Sequence, residues 1–492
     1  MTDRPVGDGA AWRRWSASRR RSWPCRTRGA VLVALVIATT LACSLLRPKP
    51  TIRNVLLISV DTLRADHLGS YGYERNASPN IDALAASSWL YEHAYAPAPS
   101  TGPSVAGLLT GMFPTHVAEW SIHGSMETLA ETLSAEGWRT VAADDNANQS
   151  RQAGYAQGFD VYRETWDESD QEVARTHLIT ETALEHLARF ADSGEPFFMW
   201  LHYVNPHAPY SPPKRFDAMF VGDRYFDERV RLPRTAGYVG GIWSKVYVEG
   251  EHRPAYYVAQ YDAELAFTDQ EVGKVLDAVR SHPGWSRDTL IVLSADHGEG
   301  LGEHDVYFTH GPHVLESHVR VPLLVRVPAE ADRPRRVSKP VSIIDVVPTI
   351  LDLVGVTRPA FTGDRTAYPL AGQSLVLTRE GEIVDHRRDI FFASPNFWGI
   401  RSDDWKMILK TRNVEGVDLG PSRQLFDVPR DPRELSNLYG TDADQTALIA
   451  RRLAARRQLQ AQFADPGTNR VERFKGLRRE ALENLRTLGY IR

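Results

Sequence analysis

The sequence predicts an α/β fold, a large mixed, mostly parallel sheet sandwiched by helices, followed by a small antiparallel α+β subdomain. Three observations predict it. Uninterrupted apolar runs of strand length recur at VLLISV (55–60), FFMWLH (197–202) and TLIVL (289–293), as in parallel strands buried on both faces. Segments of helical period alternate with them, which is the order of an α/β domain. From about Asp389 the strands shorten and alternate in polarity (IFFAS, FWGIRS, WKMILKT), the pattern of an antiparallel sheet with one solvated face.

Taken in order, the chain opens on a basic leader. Residues 1–28 hold eight Arg and two Asp, so with a net charge of −4 the remainder is about ten charges acidic. That balance argues against a nucleic-acid partner. Gly29–Leu46 (GAVLVALVIATTLACSLL) follows, an apolar run of roughly 27 Å as a helix, about a hydrocarbon thickness. Arginines ahead of it stay cytoplasmic and put the body outside, in a bacterial-type cell envelope. Three fates are open: a retained inner-membrane anchor, a lipoprotein modified at Cys43, or a cleaved signal. The only cysteines, Cys25 and Cys43, lie in this leader, so the body has no disulfide and no thiol chemistry. The expected organisation is leader 1–28, apolar segment 29–46, catalytic domain 47–388, antiparallel subdomain 389–440 and Arg-rich helical tail 441–492.

Within the body, VLLISV ends at Asp61, where open α/β sheets place ligands beyond the carboxyl ends of strands; a cap of the next segment is the alternative. YGYERNASPN is a turn region, and Ile81–Tyr95 (IDALAASSWLYEHAY) reads as an amphipathic helix. STGPSVAGLLTG (100–111) reads as a loop opening a helix: Ser100, Thr101 and Ser104 are cap types, Pro103 suits a first turn, and Gly111 can close it. A hydroxyl or anion there feels unpaired N–H groups and the positive dipole end. METLAETLSAEG (126–137) is helical and WRTVAA (138–143) a strand. FFMWLH leads into a Pro-rich loop with Asn205 and His207. Tyr256–Val279 is a long helix on which Asp262, Glu264 and Asp269 read as solvent or capping charges. TLIVL leads into SADHGEGLGEHDVYFTHG, which places Asp296 and His297 at a strand's carboxyl end, with glycines that let backbone approach a ligand. His304, His310, His313 and His318 crowd the next residues. VPLLVRVP is a strand, SIIDVVPTILDLVGV a strand or loop with a Pro-started helix, and QLFDVPRDPRELSNLYG closes the subdomain.

Asp61, Thr101, Asp296 and His297 come from separate segments that an α/β sheet gathers along one edge. Two carboxylates, an imidazole and a hydroxyl form a four-ligand oxygen and nitrogen set, which suits one divalent metal, zinc or manganese before calcium. Coordination would lower the Thr101 hydroxyl's pKa, and the helix N-terminus would hold a tetrahedral anion beside it. These parts suit displacement at phosphorus or sulfur, with His207 and His310 donating hydrogen bonds to the equatorial oxygens or a proton to the leaving group.

On these residues the chain resembles the sulfatase family of the alkaline-phosphatase superfamily, from about residue 54 to the end of the small subdomain. NVLLISVDTLRADHLGSYGY is similar to the family's first metal-binding strand, TGPSVAGLLTG to its nucleophile signature, and LHYVNPHAPYSPP and LSADHGEGLGEH to later site segments. THGPHVLESHVRVPLLV, IDVVPTILDLVGV and QLFDVPRDPRELSNL match further blocks. The resemblance implies an alkaline-phosphatase/sulfatase-like fold and adds His202, Asn205 and His304 as substrate-binding candidates. The departures are specific. Sulfatases begin their signature with a Cys or Ser converted to formylglycine, with an Arg four residues on; here those positions are Thr101 and Val105, and threonine cannot give the aldehyde. Thr62 stands for the second paired acid and His310 for a Lys, and AADDNANQ lacks the usual Lys-x-x-His-x-Gly. Superfamily relatives with a threonine nucleophile cleave or transfer phosphoesters. Some hold a second metal with an Asp and a His four residues on, but Asp262 is followed there by Ala266 and Asp269 by Gly273, so one metal is expected.

The expected function is metal-dependent hydrolysis of a sulfuric or phosphoric ester, with Thr101 favouring phosphomonoesters or phosphodiesters through a covalent intermediate. The alternatives are a formylglycine-independent sulfatase, an envelope transferase of phosphoglycerol or phosphoethanolamine type, and a non-catalytic member that binds an anionic glycan. The expected partners are a sulfated or phosphorylated small molecule, glycan or lipid, and the membrane through the N-terminal segment.

Overall fold

Strand β1, Asn54–Val60, is buried along its whole length, as its unbroken apolar run requires. The computed structural model describes residues 52–113, 121–124, 126–169, 171–222, 229–237, 239–357, 372–383, 389–413 and 420–461. The leader 1–28, the apolar run 29–46 and the tail beyond residue 461 lie outside them. Among the described residues no helix is long and apolar enough to cross a membrane.

The main sheet holds β1 with β2 (Trp89–Tyr91), β3 (Arg139–Asp144), β4 (Val161–Glu164), β5 (Phe197–Tyr203), β6 (Thr289–Ala295), β7 (Leu323–Arg326) and β8 (Arg335–Val337). Its order is β8-β2-β7-β6-β1-β5-β3-β4. Every neighbouring pair is parallel except the two made by β7, so the sheet is mixed and mostly parallel, as the sequence predicts. Helices α1 (Pro79–Ala85), α4 (Glu172–Ser193) and α5 (Pro254–Ser281) pack together, and α2 (Thr101–Thr110) packs on α3 (Leu129–Ala135) and α6 (Val346–Val354). One apolar cluster runs through these elements.

Three expectations change. The helix expected over 81–95 stops at Ala85, and the chain re-enters the sheet as β2. The Ser87 and Ser88 hydroxyls bond back to the Leu84 carbonyl at 3.1 and 2.7 Å, and Trp89 and Leu90 pair with β7 instead of continuing the helix. Helix α6 starts at Val346, two residues ahead of Pro348, because Ser342 and Asp345 form a capping box just before it. The acids of α5 are not solvent charges: Asp262, Glu264 and Asp269 are all buried. Asp262 takes Tyr73 and Arg75 at 2.5 Å and His67 at 2.7 Å, while Asp269 caps α1 by accepting from the Asn80 and Ile81 N–H groups. Helix α5 packs against both α1 and α4, so its polar positions meet protein.

The C-terminal sheet is a four-stranded meander, β9 (Asp389–Ala393), β10 (Phe397–Ser402), β11 (Trp405–Lys410) and β12 (Arg423–Asp427), antiparallel throughout and followed by α7 (Ala443–Ala461). Its inner face joins Tyr95, Val314, Leu315 and Val319 in a shared apolar cluster. Fully buried Lys406 of β11 reaches Glu316 at 3.0 Å and Glu434 at 2.8 Å. Removing it leaves two buried carboxylates without their cation. Lys406→Met is therefore expected to lower unfolding stability by about 3–5 kcal/mol in chemical denaturation, with recovery when Glu316→Gln and Glu434→Gln are added; an unchanged midpoint for the single variant would contradict this bridging role.

Candidate active site

The register of three strands builds the site. Val60 of β1 is level with Tyr203 of β5 on one side and Ala295 of β6 on the other. The next residues, Asp61 and Asp296, therefore emerge side by side at the carboxyl edge. The Asp61 N–H continues the ladder to the Tyr203 carbonyl at 2.8 Å, and the Thr62 N–H donates to Asp296 Oδ1 at 3.2 Å. His297 follows, its backbone N–H on the same Asp296 Oδ1 at 2.8 Å. Gly298 is needed for a different reason from the one expected. A Cβ there would lie 2.1 Å from the Ser317 carbonyl oxygen, so the close approach is to protein backbone.

Thr101 is the first residue of α2, with Ser100 as extended N-cap and Gly111, at φ 69°, closing the helix. Ser104 ties the first turn to the Asp296 carbonyl at 2.5 Å. Thr101 Oγ1 thereby lies 3.3 Å from Asp61 Oδ2 and 3.2 Å from His297 Nε2. His297 Nδ1 donates to the Gly298 carbonyl at 2.8 Å, which leaves the lone pair on Nε2, the atom facing Thr101 and both carboxylates. His310 packs on His297 with ring centroids 4.4 Å apart and on His207 at 4.8 Å, and its Nδ1 meets buried Glu299 at 3.3 Å.

The electrostatics follow from this crowding in a dry site. Burial works to raise the Asp61 carboxyl, but His207, His202 and His297 outweigh it and hold it well below the usual carboxylate range. Burial, and then the Asp61 charge, push Asp296 well above that range. Burial, and then His310, hold the His297 imidazole well below its ordinary value. Burial opposes the charge on His310, but Glu299 overrides it and raises that imidazole. Two adjacent buried carboxylates call for a cation between them. Asp61 Oδ1 and Asp296 Oδ2 are buried without hydrogen-bond partners, and Asp61, Asp296 and His297 each bring a ligand atom within 4.8 Å of the others. These residues fit one divalent metal, with Thr101 as a further oxygen within reach.

The structure thus brings together Asp61, Thr101, Asp296 and His297, with His207 and His310 packed beside them. The other three candidates stand differently. His202 is behind Asp61, its Nε2 3.8 Å from Asp61 Oδ2 and its Nδ1 on Ser59, which also accepts from Trp200. Asn205 is held between Thr176, at 2.6 Å, and Glu172, at 3.2 Å. His304 bonds the Arg433 carbonyl at 2.9 Å and lines a cavity of about 380 Å³ against the C-terminal subdomain instead of facing Thr101. Two residues that the sequence reading passed over join the cluster. Asn146, in the DDNANQ stretch where the family's Lys is missing, donates to Asp61 Oδ2 at 3.1 Å, and Glu299 holds His310. The only sequence signal for Glu299 is an acid between two glycines, two residues after His297.

Comparison with known proteins bears on this arrangement. The sequence model of the family described as Sulfatase matches residues 53–356, and that of the N-sulphoglucosamine sulphohydrolase C-terminal region matches 302–462. An uncharacterised sulfatase of Escherichia coli K12 is 25% identical over 438 residues, covering 78% of this chain and 82% of its own. Among solved structures, a phosphonate monoester hydrolase of Agrobacterium radiobacter superposes with a TM-score of 0.64 at 20% identity, covering 84% of this chain and 96% of its own. An enzyme solved with its substrate D-glucosamine-2-N,6-O-disulfate superposes with a TM-score of 0.66 at 22% identity, covering 84% and 98%. Asn146→Ala, which removes a donor to a buried carboxylate, is expected to lower kcat/KM for ester cleavage by about ten- to a hundred-fold. An unaltered kcat/KM would show that Asn146 does not support Asp61.

Proposed function

This chain belongs to the sulfatase family and is an ester hydrolase, and from that footing we infer that it uses Thr101 as nucleophile, with one divalent metal, to cleave phosphoric monoesters or diesters. The observation that carries the reading is the Thr101 hydroxyl at the start of α2, 3.3 Å from Asp61 Oδ2 and 3.2 Å from His297 Nε2. Asp61, Asp296, His297 and Thr101 would hold the metal, zinc or manganese on account of the mixed oxygen and nitrogen donors. Bound there, the ion supplies positive charge that lowers the Thr101 pKa and neutralises ester oxygens.

The chain's own residues perform the rest. The N–H groups at the start of α2 hold the anionic centre of the ester. Having given up its proton to solvent, Thr101 Oγ forms a bond to phosphorus or sulfur as the bond to the alcohol oxygen breaks in line, and that oxygen takes a proton from His310, whose imidazole Glu299 raises, while burial lowers His207. Water then attacks the threonine ester, gives back the proton that restores the hydroxyl, and releases inorganic phosphate or sulfate from a monoester or the remaining monoester from a diester. Glu299 keeps His310 oriented and charged for its part, and Asn146 and His202 keep Asp61 from turning away. The basic leader and the apolar run 29–46 support a place outside the cytoplasm, tethered to the envelope membrane.

A second reading, sulfuric ester hydrolysis without formylglycine, is supported by the family match and by the disulfated glucosamine bound to one structural neighbour. Assay of 4-nitrophenyl phosphate, bis(4-nitrophenyl) phosphate and 4-nitrophenyl sulfate separates the two. We expect the phosphate esters to turn over faster, Thr101→Ala to lose at least about 10³-fold in kcat, and chelator to abolish turnover until zinc or manganese is restored. Unchanged turnover in Thr101→Ala would mean that another group is the nucleophile, and sulfate turnover above phosphate would select the second reading.

A further inference from the structure

Beside Asp61 lies a polar cluster that the reaction above does not use. Asp145 immediately precedes Asn146, the donor to Asp61, and its Oδ1 takes Arg175 at 2.7 Å. Glu172, at the start of α4 and partly open to solvent, accepts from Asn205 at 3.2 Å, and Asn205 stands two residues before His207. Glu264 of α5 is fully buried and takes the Ser211 N–H just after the same loop. Arg175 thus faces Asp145 and Glu172, and Glu264 joins them through Glu172 and Asn205.

Two of their oxygens, Asp145 Oδ2 and Glu264 Oε2, are buried without a hydrogen-bond partner, although Asp145 and Glu264 are only 2% and 0% exposed. Buried acceptors of this kind are ordinarily paired, so these two ask for a donor. Burial pushes Asp145 up to about 7 and Glu172 up to about 8, with Arg175 offsetting only part of it, as expected where a counter-cation is missing. A bare metal ion does not fit. Among the described residues the acid and histidine atoms that converge within 4.8 Å are those of Asp61, Asp296 and His297, and the oxygens of this second cluster are more widely spread. An organic cation with N–H donors and a carbon frame spans such a spread.

We propose that Asp145, Glu172 and Glu264 form a subsite beside Asp61 for a primary ammonium group of the substrate, so that the preferred ester joins a monoanionic phosphate or sulfate to an amine-bearing alcohol. The subsite rests on the ester-hydrolase reading with Thr101 as nucleophile. The groups acting on Asp61 are imidazoles and the Asn146 amide, so apart from a metal the site offers a second anionic charge little compensation, while a nearby ammonium meets unpaired acceptors.

The test compares matched esters on the purified full chain: 4-nitrophenyl 2-aminoethyl phosphate against 4-nitrophenyl ethyl phosphate, and 2-aminoethyl sulfate against ethyl sulfate. We expect the amine-bearing member of the cleaved pair to have a kcat/KM higher by about ten-fold or more, and the ratio to fall by about three- to ten-fold in Glu172→Gln and again in Glu264→Gln. Thermal unfolding checks each variant; since Glu172 is partly exposed, Glu172→Gln decides if Glu264→Gln does not fold. Equal turnover within the pair, or a ratio that both variants preserve, overturns the subsite and leaves the hydrolase reading standing. No turnover of any of the four esters or of 4-nitrophenyl phosphate by a metal-loaded, folded protein overturns that reading and the subsite with it.

Discussion

The constraint on which the rest of the molecule depends is the level at which three parallel strands stop. β1 lies between β5 and β6 with Val60 opposite both Tyr203 and Ala295, so the first residues past the sheet are forced together. Two of them are carboxylates, Asp61 and Asp296, completely buried. Such a pair is costly in a dry interior unless cations balance it. The surroundings are arranged for that: three histidines act on Asp61, Thr62 and His297 donate backbone N–H groups to Asp296, and two carboxylate oxygens are left without partners where an ion would sit. Helix α2 is then anchored by Ser104 to the Asp296 carbonyl, so that Thr101 can hardly avoid the pair.

The departures from the family's pattern change the charge around the site in two directions. Where sulfatases carry a second acid, a lysine and a Lys-x-x-His-x-Gly stretch, this chain has Thr62, His310 and Asn146. Thr62 removes a negative charge, whereas His310 and Asn146 put an imidazole and an amide where the family's pattern has lysine-bearing stretches. His310 regains charge through buried Glu299. Asn146 keeps Asp61 oriented without adding a cation. In the proposed reaction a threonine nucleophile would need no conversion before it reacts, and an ion held by Asp61, Asp296 and His297 would supply the positive charge.

The strands that frame the site were legible because a buried parallel strand leaves a continuous apolar run, and its end is marked by the first polar residue. That is how Asp61, Asp296 and His297 were found, and the cap residues around Thr101 marked α2 in the same way. What failed was local pattern overruled by partners distant in sequence. Trp89–Tyr91 reads as helix until β7 is there to pair with it, and the acids of α5 read as solvent charges until α1 and α4 cover them. Asn146, Glu299 and Asp145 are ordinary polar residues in the sequence, and only the alignment of β1, β3, β5 and β6 shows what they face. The crowd of histidines after Glu303 gave no direction either: His310 turns to His297, whereas His304, at φ 53°, turns to Arg433.

The central claim is that the Thr101 oxygen becomes bonded to the transferred phosphoryl or sulfuryl group. Acid quenching during steady-state turnover, followed by peptide mass mapping of residues 89–113, tests it directly. The account predicts a modified peptide whose fragmentation places the added group on Thr101. Active enzyme that shows no adduct at any quench time, or one placed on another residue, would contradict it.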